Sequence, residues 1–199
     1  LDKSGSPQWQ SIVNHQYGFF ASELVRKKVK KEGTEALQKA LEVEEKVGGT
    51  LSELVFPPSD KPGSLLEVKY KLTTAATEDG MLYVTPVLVS YFRQNPLKSA
   101  ERKYPVEMPY KVSQQYTVNI RVPDGYRVEE LPASLTTGIN GNKDAAFEYQ
   151  VTEANGKITI HYSIDITKTY FKPEEYNTLR ELFSKIAAKL EEQVVFKKQ

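Results

Sequence analysis

His15 and His161 are the two residues best suited to acid–base or metal chemistry near neutral pH, because an unperturbed imidazole titrates there. Either role needs a second histidine or a carboxylate at ligand or hydrogen-bond spacing, and the sequence sets none beside either one. A solvated or structurally hydrogen-bonded histidine is the reading that spacing favours. Carboxylates are numerous but dispersed: Glu42, Glu44 and Glu45 on helical text, Glu129 and Glu130 after a turn, Glu191 and Glu192 near a helix end. A catalytic pair needs two carboxyls facing one cleft, and no spacing brings two together. The chain has no cysteine, so disulfides, thiolate metal sites and a cysteine nucleophile are all excluded. It also lacks a Gly-x-Ser-x-Gly elbow. Gly138-Ile139-Asn140-Gly141-Asn142 reads as a flexible turn between strands, not as the strand–loop–helix of a phosphate cradle. The expectation is a chain with no catalytic residue, no cofactor and no metal.

Two features remain that could bind. Arg26-Lys27-Lys28-Val29-Lys30-Lys31 is the one basic run. It could meet phosphate or anionic lipid, but it also suits a solvated helix end whose cations complement the helix dipole. A net charge of +1 favours the second reading and argues against a nucleic-acid partner. Tyr104, Tyr110 and Tyr116 are the candidate ligand or partner surface, since aromatic platforms bind peptides and sugars. Tyrosine is equally a strand former with an apolar body and a polar tip, and packing in the core and at its rim is the favoured reading.

The elements that would carry these residues are legible in the hydrophobic period. Tyr116, Val118, Ile120 and Val122 alternate with polar residues, as a half-buried strand does, and Pro123-Asp124-Gly125 stops it with turn chemistry. Asn155-Gly156 is the preferred pair of a two-residue type I′ hairpin turn. That turn pairs Val151 with Ile160, Tyr149 with Tyr162 and Phe147 with Ile164, and leaves His161 on the polar face opposite Gln150. A slip of one residue would turn the apolar set outward. Leu66, Val68, Tyr70 and Leu72 alternate as another strand. Met81 to Phe92 is a nearly continuous apolar run, and Pro86 within it points to an edge strand or a bulge. Toward the N-terminus, Phe20 and Leu24 open one helix. Thr34 caps a second, through Leu37 and Leu41, which Gly48-Gly49 closes. Leu51 to Phe56 fits either a short helix or a strand. Pro57 to Gly63 is the clearest loop. It divides a strand-plus-helix part, 1–56, from a β-rich part, 64–199, although the two could pack as one unit. A last helix begins near Pro173 and buries Tyr176, Leu179, Phe183, Ile186 and Leu190 on one stripe. Val194-Val195-Phe196 then returns to a sheet edge.

At 199 residues, with 39% apolar and 27% charged content, the chain can bury about 70% of its unfolded surface without a metal or disulfide staple. No apolar run approaches the ~18 residues of a membrane-spanning helix, so no membrane insertion is expected. The chain opens at Leu1 without a signal-peptide pattern, which predicts a piece of a longer protein whose targeting segment lies elsewhere. The fold class expected is α+β: mostly antiparallel, β-sandwich-like sheets with an N-terminal helical pair and a C-terminal amphipathic helix.

A run of motifs carries a family resemblance: Asn95-Pro96-Leu97, Glu101 to Val106, Tyr116 to Val122, Pro123-Asp124-Gly125-Tyr126, Val128 to Pro132, Tyr170 to Tyr176, Leu179-Arg180, Phe183, and Val194 to Lys198. Together they resemble the C-terminal β-rich region of large bacterial proteins, chiefly of Bacteroidetes, built around a transglutaminase-like, papain-type core. In that architecture a β-rich domain of unknown function precedes the core and another β-rich region follows it. The likeness covers 95–199, is thinner over 64–92, and over 1–50 is only an outline. It implies a non-catalytic accessory domain of an exported protein, periplasmic or at the cell surface, with the upstream core in the same chain as its partner. The family's Cys-His-Asp triad has no counterpart here. An autonomous peptide- or glycan-binding module is the alternative, and an enzyme with an unrecognised carboxylate site is a third.

Overall fold

A computed structural model of the chain describes residues 8–17, 19–45, 49–57, 66–75, 80–87 and 91–199. Its elements run β1 (Gln8–Tyr17), α1 (Phe19–Glu32), α2 (Thr34–Glu45), β2 (Gly49–Val55), β3 (Leu66–Ala75), β4 (Met81–Val84), β5 (Val106–Glu107) and β6 (Val112–Arg121). They continue with β7 (Tyr126–Glu130), β8 (Leu135–Ile139), β9 (Ala145–Ala154), β10 (Lys157–Ile166), β11 (Tyr170–Phe171), α3 (Tyr176–Leu190) and β12 (Val194–Lys198). The class is α+β, with helices paired at the N-terminus and single at the C-terminus, and with antiparallel sheets. The described residues fall into two compact units. The first holds 1–84, 122–129 and 195–199; the second holds 85–121 and 130–194. The units therefore divide first between Val84 and Thr85. The loop read as a boundary, Pro57 to Gly63, lies outside the described residues except for Pro57.

In the first unit β3 is the middle strand of the sheet β1–β3–β2. Leu66, Val68 and Tyr70 are buried at the two-residue period of a strand with one covered face. The segment Leu51 to Val55, undecided from sequence, is strand. Its register slips between Ser52 and Val55, where Glu53 takes φ 51°, a bulge that lets an edge strand bend away. The helix α1 ends at Gly33, whose φ of 85° suits the left-handed residue that closes a helix; its N–H donates to the Val29 carbonyl at 2.8 Å. Leu37 and Leu41 are the buried side of α2, and Gln38 ties it to the Leu51 carbonyl at 3.1 Å. Gly49, read as a helix stop, instead opens β2. The second sheet has the order β4–β12–β7. Val194, Val195 and Phe196 are buried on its middle strand, not at its edge as the sequence suggested. A three-residue apolar run is better covered between two neighbours. One edge is β4, which stops before Pro86, a residue with no N–H to give a ladder.

The second unit is organised on a four-stranded antiparallel sheet, β6–β10–β9–β8. Asn155 and Gly156 stand at φ 53° and 70°, and β9 pairs with β10 in the register read from sequence: Val151 with Ile160, Tyr149 with Tyr162, Phe147 with Ile164. Phe147, Tyr149, Ile158, Ile160, Tyr162, Ile164 and Ile166 are fully buried. The stretch Gly138 to Asn142 is not one loop. Gly138 and Ile139 belong to β8, and the turn is made by Asn140, Gly141 and Asn142, all at positive φ. The stripe of α3 is buried as expected, with Leu182 added, and Phe183 stacks on Phe92 at 5.4 Å.

Tyr149 has a fully buried side chain and a hydroxyl without a hydrogen-bond partner among the described residues. Burial first, then the charge of Glu192, holds its phenol well above the usual range. An unbonded buried hydroxyl costs about 1–3 kcal/mol. Tyr149→Phe is therefore expected to leave stability unchanged or raise it by about 1 kcal/mol, read as the urea midpoint. A loss of that size would mean that the hydroxyl is bonded after all.

Candidate binding surface

The second unit also carries a short antiparallel ribbon, β5 against β11, that pairs Glu107 with Tyr170 and Val106 with Phe171. Met108 extends it by donating its N–H to the Thr169 carbonyl at 2.8 Å. Directly opposed residues share a face. One face of the ribbon is therefore Val106 and Phe171, both buried, and the other is Glu107 and Tyr170, both exposed. Tyr104 lies three residues before Glu107 and Tyr110 three after it. They are 78% and 49% exposed, and Tyr170 is 48% exposed. Only Tyr170 is on the ribbon, with Tyr104 and Tyr110 on the segments that flank β5; an exposed tyrosine is suited to stacking and hydrogen bonding at once.

Tyr116 does not belong to it. Only 5% exposed, it stacks on Tyr162 at 5.3 Å and donates its hydroxyl hydrogen to the Pro86 carbonyl at 3.1 Å. The inward parity of its strand takes it into the core. Tyr170 is the residue sequence reading missed. Nothing in Tyr170-Phe171 says which ring faces water until the pairing with β5 fixes the parity.

The ribbon is held by polar bonds from both directions. Lys168, just before it, places its ammonium 2.5 Å from Glu175 Oε1, 3.8 Å from Asp144 Oδ2 and 5.2 Å from the centre of the Phe171 ring. The other Glu175 oxygen accepts the Lys172 N–H at 2.9 Å, which closes the start of the last helical segment. The Asp144 carbonyl accepts from the N–H groups of Thr167 and Lys168 at 3.0 and 3.1 Å. Upstream, Asn95 works as a clasp. Its amide donates to the Arg180 carbonyl at 2.9 Å and Ser184 Oγ at 2.8 Å, while its Oδ1 accepts the Leu97 N–H at 2.8 Å. Arg180 Nε returns a bond to the Leu97 carbonyl and the Tyr176 hydroxyl one to the Ser99 carbonyl.

The hydrogen bond with Glu175 raises the pKa of Lys168, and the same bond, with that from the Lys172 backbone, lowers the pKa of Glu175. A raised lysine contributes stability that is lost as pH climbs through its folded value, and a lowered carboxylate contributes stability that is lost as pH falls through its own. The stability gap between the wild type and Glu175→Gln is therefore expected to be constant through neutral pH. It should narrow below the ordinary carboxylate range and above the ordinary lysine range. Midpoints of thermal unfolding against pH read this directly, and a gap flat across both extremes would refute it. Both groups are well solvated, so the gap is small.

The other candidates do not converge. His161 Nδ1 lies 2.8 Å from Thr117 Oγ1 and faces Gln150 across β9; His15 sits on β1 opposite Val68. Glu129 pairs with Arg127 and Glu192 with Lys189, each at 2.7 Å, and Glu42 accepts from Gln38. Among the described residues no group of three or more histidines and carboxylates is placed to hold a metal ion, and no helix is long and apolar enough to cross a membrane. The basic run lies on α1, with Lys30 and Lys31 in its last turn. Arg26 is held by Ser22 and Glu23 at 3.1 and 3.4 Å.

Fold and surface together define an α+β domain with a tyrosine-bearing ribbon. The chain belongs to the DUF3858 family, described as a domain of unknown function with solved structure, which it matches over residues 80–196. No curated protein and no solved structure matches it.

Proposed function

We propose that this chain is a non-catalytic accessory domain of an exported protein with a transglutaminase-like, papain-type core, of the Bacteroidetes type, and that it acts by contact and not by bond-making. One observation supports this reading above others: several of the residues that carry the family pattern are used to build the fold. Asn95 and Leu97 fasten α3. Gly125, at φ 77°, makes the turn into β7. Phe171 and Glu175 seat and close the last helical segment, and Val194 to Phe196 fill a core. The partner is the core in the same chain, at the periplasm or cell surface. Sequencing the reading frame upstream of Leu1 tests this: a Cys-His-Asp domain is expected there, and a frame without one overturns the proposal.

The exposure of Tyr104, Tyr110 and Tyr170 favours a second reading, an autonomous module for peptide or glycan. It expects hits on a peptide or glycan array that disappear in Tyr104→Ala and Tyr170→Ala. An array without hits removes it.

A further inference from the structure

Among the described residues, strand β6 is an outer strand of the four-stranded sheet. Ten residues long, Val112–Arg121, it pairs with β10 in unbroken register from Lys157 opposite Arg121 to Ile166 opposite Val112. Proteins guard such edges with charges, prolines, bulges or short length. Between Ser113 and Ile120 there is no charge and no proline, and the register shows no bulge. The other outer strand of the sheet, β8, is half as long, five residues.

We propose that β6 pairs edge to edge with β6 of a second copy of this chain, antiparallel, about a twofold axis at Thr117. The sequence of the strand selects that centre. With the axis at Thr117, the segment Ser113 to Arg121 folds wholly onto itself. On the exposed face Thr117 meets Thr117, Gln115 meets Asn119, and Ser113 meets Arg121. On the inner face Tyr116 meets Val118 and Gln114 meets Ile120. Thr–Thr and aromatic–β-branched pairs are among the favourable cross-strand combinations. An axis at Tyr116 would set Arg121 opposite Lys111, like against like. An axis at Val118 would set Ser113 opposite Pro123, which has no N–H for the ladder. The charges agree as well. Asp165 lies beside Ser113 on the next strand, accepting its hydroxyl hydrogen at 2.7 Å. Each Arg121 thus stands two strand spacings, ~10 Å, from Asp165 of the other copy, with Ser113 between them, a span a long arginine side chain can cross, at both ends of the pair. The result is a continuous eight-stranded sheet, four strands from each copy.

A strand pair of this length buries less than a standard interface of ~1,600 Å², so the association is reversible. Sedimentation equilibrium on the 199-residue chain, up to about 1 mM, is expected to show a monomer–dimer equilibrium. Thr117→Lys places two ammonium groups face to face on the axis, and Thr117→Glu two carboxylates. Each is expected to raise the dissociation constant about tenfold. An equal mixture of the two variants is expected to form a heterodimer at least as tight as the wild type. Thr117 is exposed, and unchanged circular dichroism checks that each variant is folded. A chain that stays monomeric throughout, a dimer that Thr117→Lys leaves intact, or a mixture that does not recover association would each overturn the proposal.

Discussion

Tyr162→Ala is expected to lower the unfolding free energy by about 3–5 kcal/mol, the range for removing a buried aromatic ring from a packed core. Tyr162 is fully buried at the middle of the sheet. It stacks on Tyr116 at 5.3 Å with 17° between the rings and lies 6.3 Å from Phe147, while Tyr149 stands directly opposite on β9. Removing it leaves a hole bordered by two central strands that are themselves fixed by ten-residue ladders, so collapse cannot fill the space. Its hydroxyl accepts from Gln114 Nε2 at 3.1 Å. Tyr162→Phe keeps the ring and gives up the hydroxyl with that bond, an expected loss of about 1 kcal/mol. Urea unfolding of the pair reads the difference. An alanine variant within about 1.5 kcal/mol of the wild type would show that the ring is not packed as described.

Gly138→Ala is expected to destabilise by about 3 kcal/mol, at the upper end of overpacking penalties, for a steric reason. Gly138 pairs with Ala146 in β8, and a Cβ there would collide with both Asn142 Oδ1 and the Ala145 carbonyl oxygen, well inside the 3.0 Å that real Cβ atoms keep. The asparagine side chain can swing away; the carbonyl belongs to the backbone of β9 and cannot. The double variant Gly138→Ala, Asn142→Ala is therefore expected to recover only part of the loss. Full recovery would mean that the backbone at Ala145 yields. The position matters beyond the sheet, because the turn that follows carries Asp144, whose carbonyl holds the N–H groups of Thr167 and Lys168 ahead of the ribbon. A shifted β8–β9 turn would loosen that anchor.

Neither effect follows from composition, yet the two positions differ in how far they could be foreseen. The place of Tyr162 was legible: Asn155-Gly156 fixes the turn, and strict alternation on both arms allows one register with the apolar set inside. The inward parity of Tyr116 was legible from the same alternation, although its clustering with Tyr104 and Tyr110 suggested a surface. Gly138 was read as part of a flexible turn, because nothing local says that the Ala145 carbonyl comes to rest against it. The Asn95 clasp was equally hidden. Its partners are 85 and 89 residues away, and an Asn-Pro pair reads locally only as a turn. Tyr170 was missed because a two-residue strand has no period to read.

The amino-acid sequence by itself determined the elements with a long period, the central hairpin and the stripe of α3, since burying one face of a strand or helix requires a pattern along the chain. It also determined that no thiol chemistry is possible here. Tertiary structure alone decided what depends on pairing between distant segments: that Val194 to Phe196 form a middle strand, that Tyr116 is buried while Tyr170 is exposed, and that β6 is an outer strand of its sheet among the described residues. Hydrophobic period is written into each segment, whereas the neighbour a segment meets is set by how all of them close together.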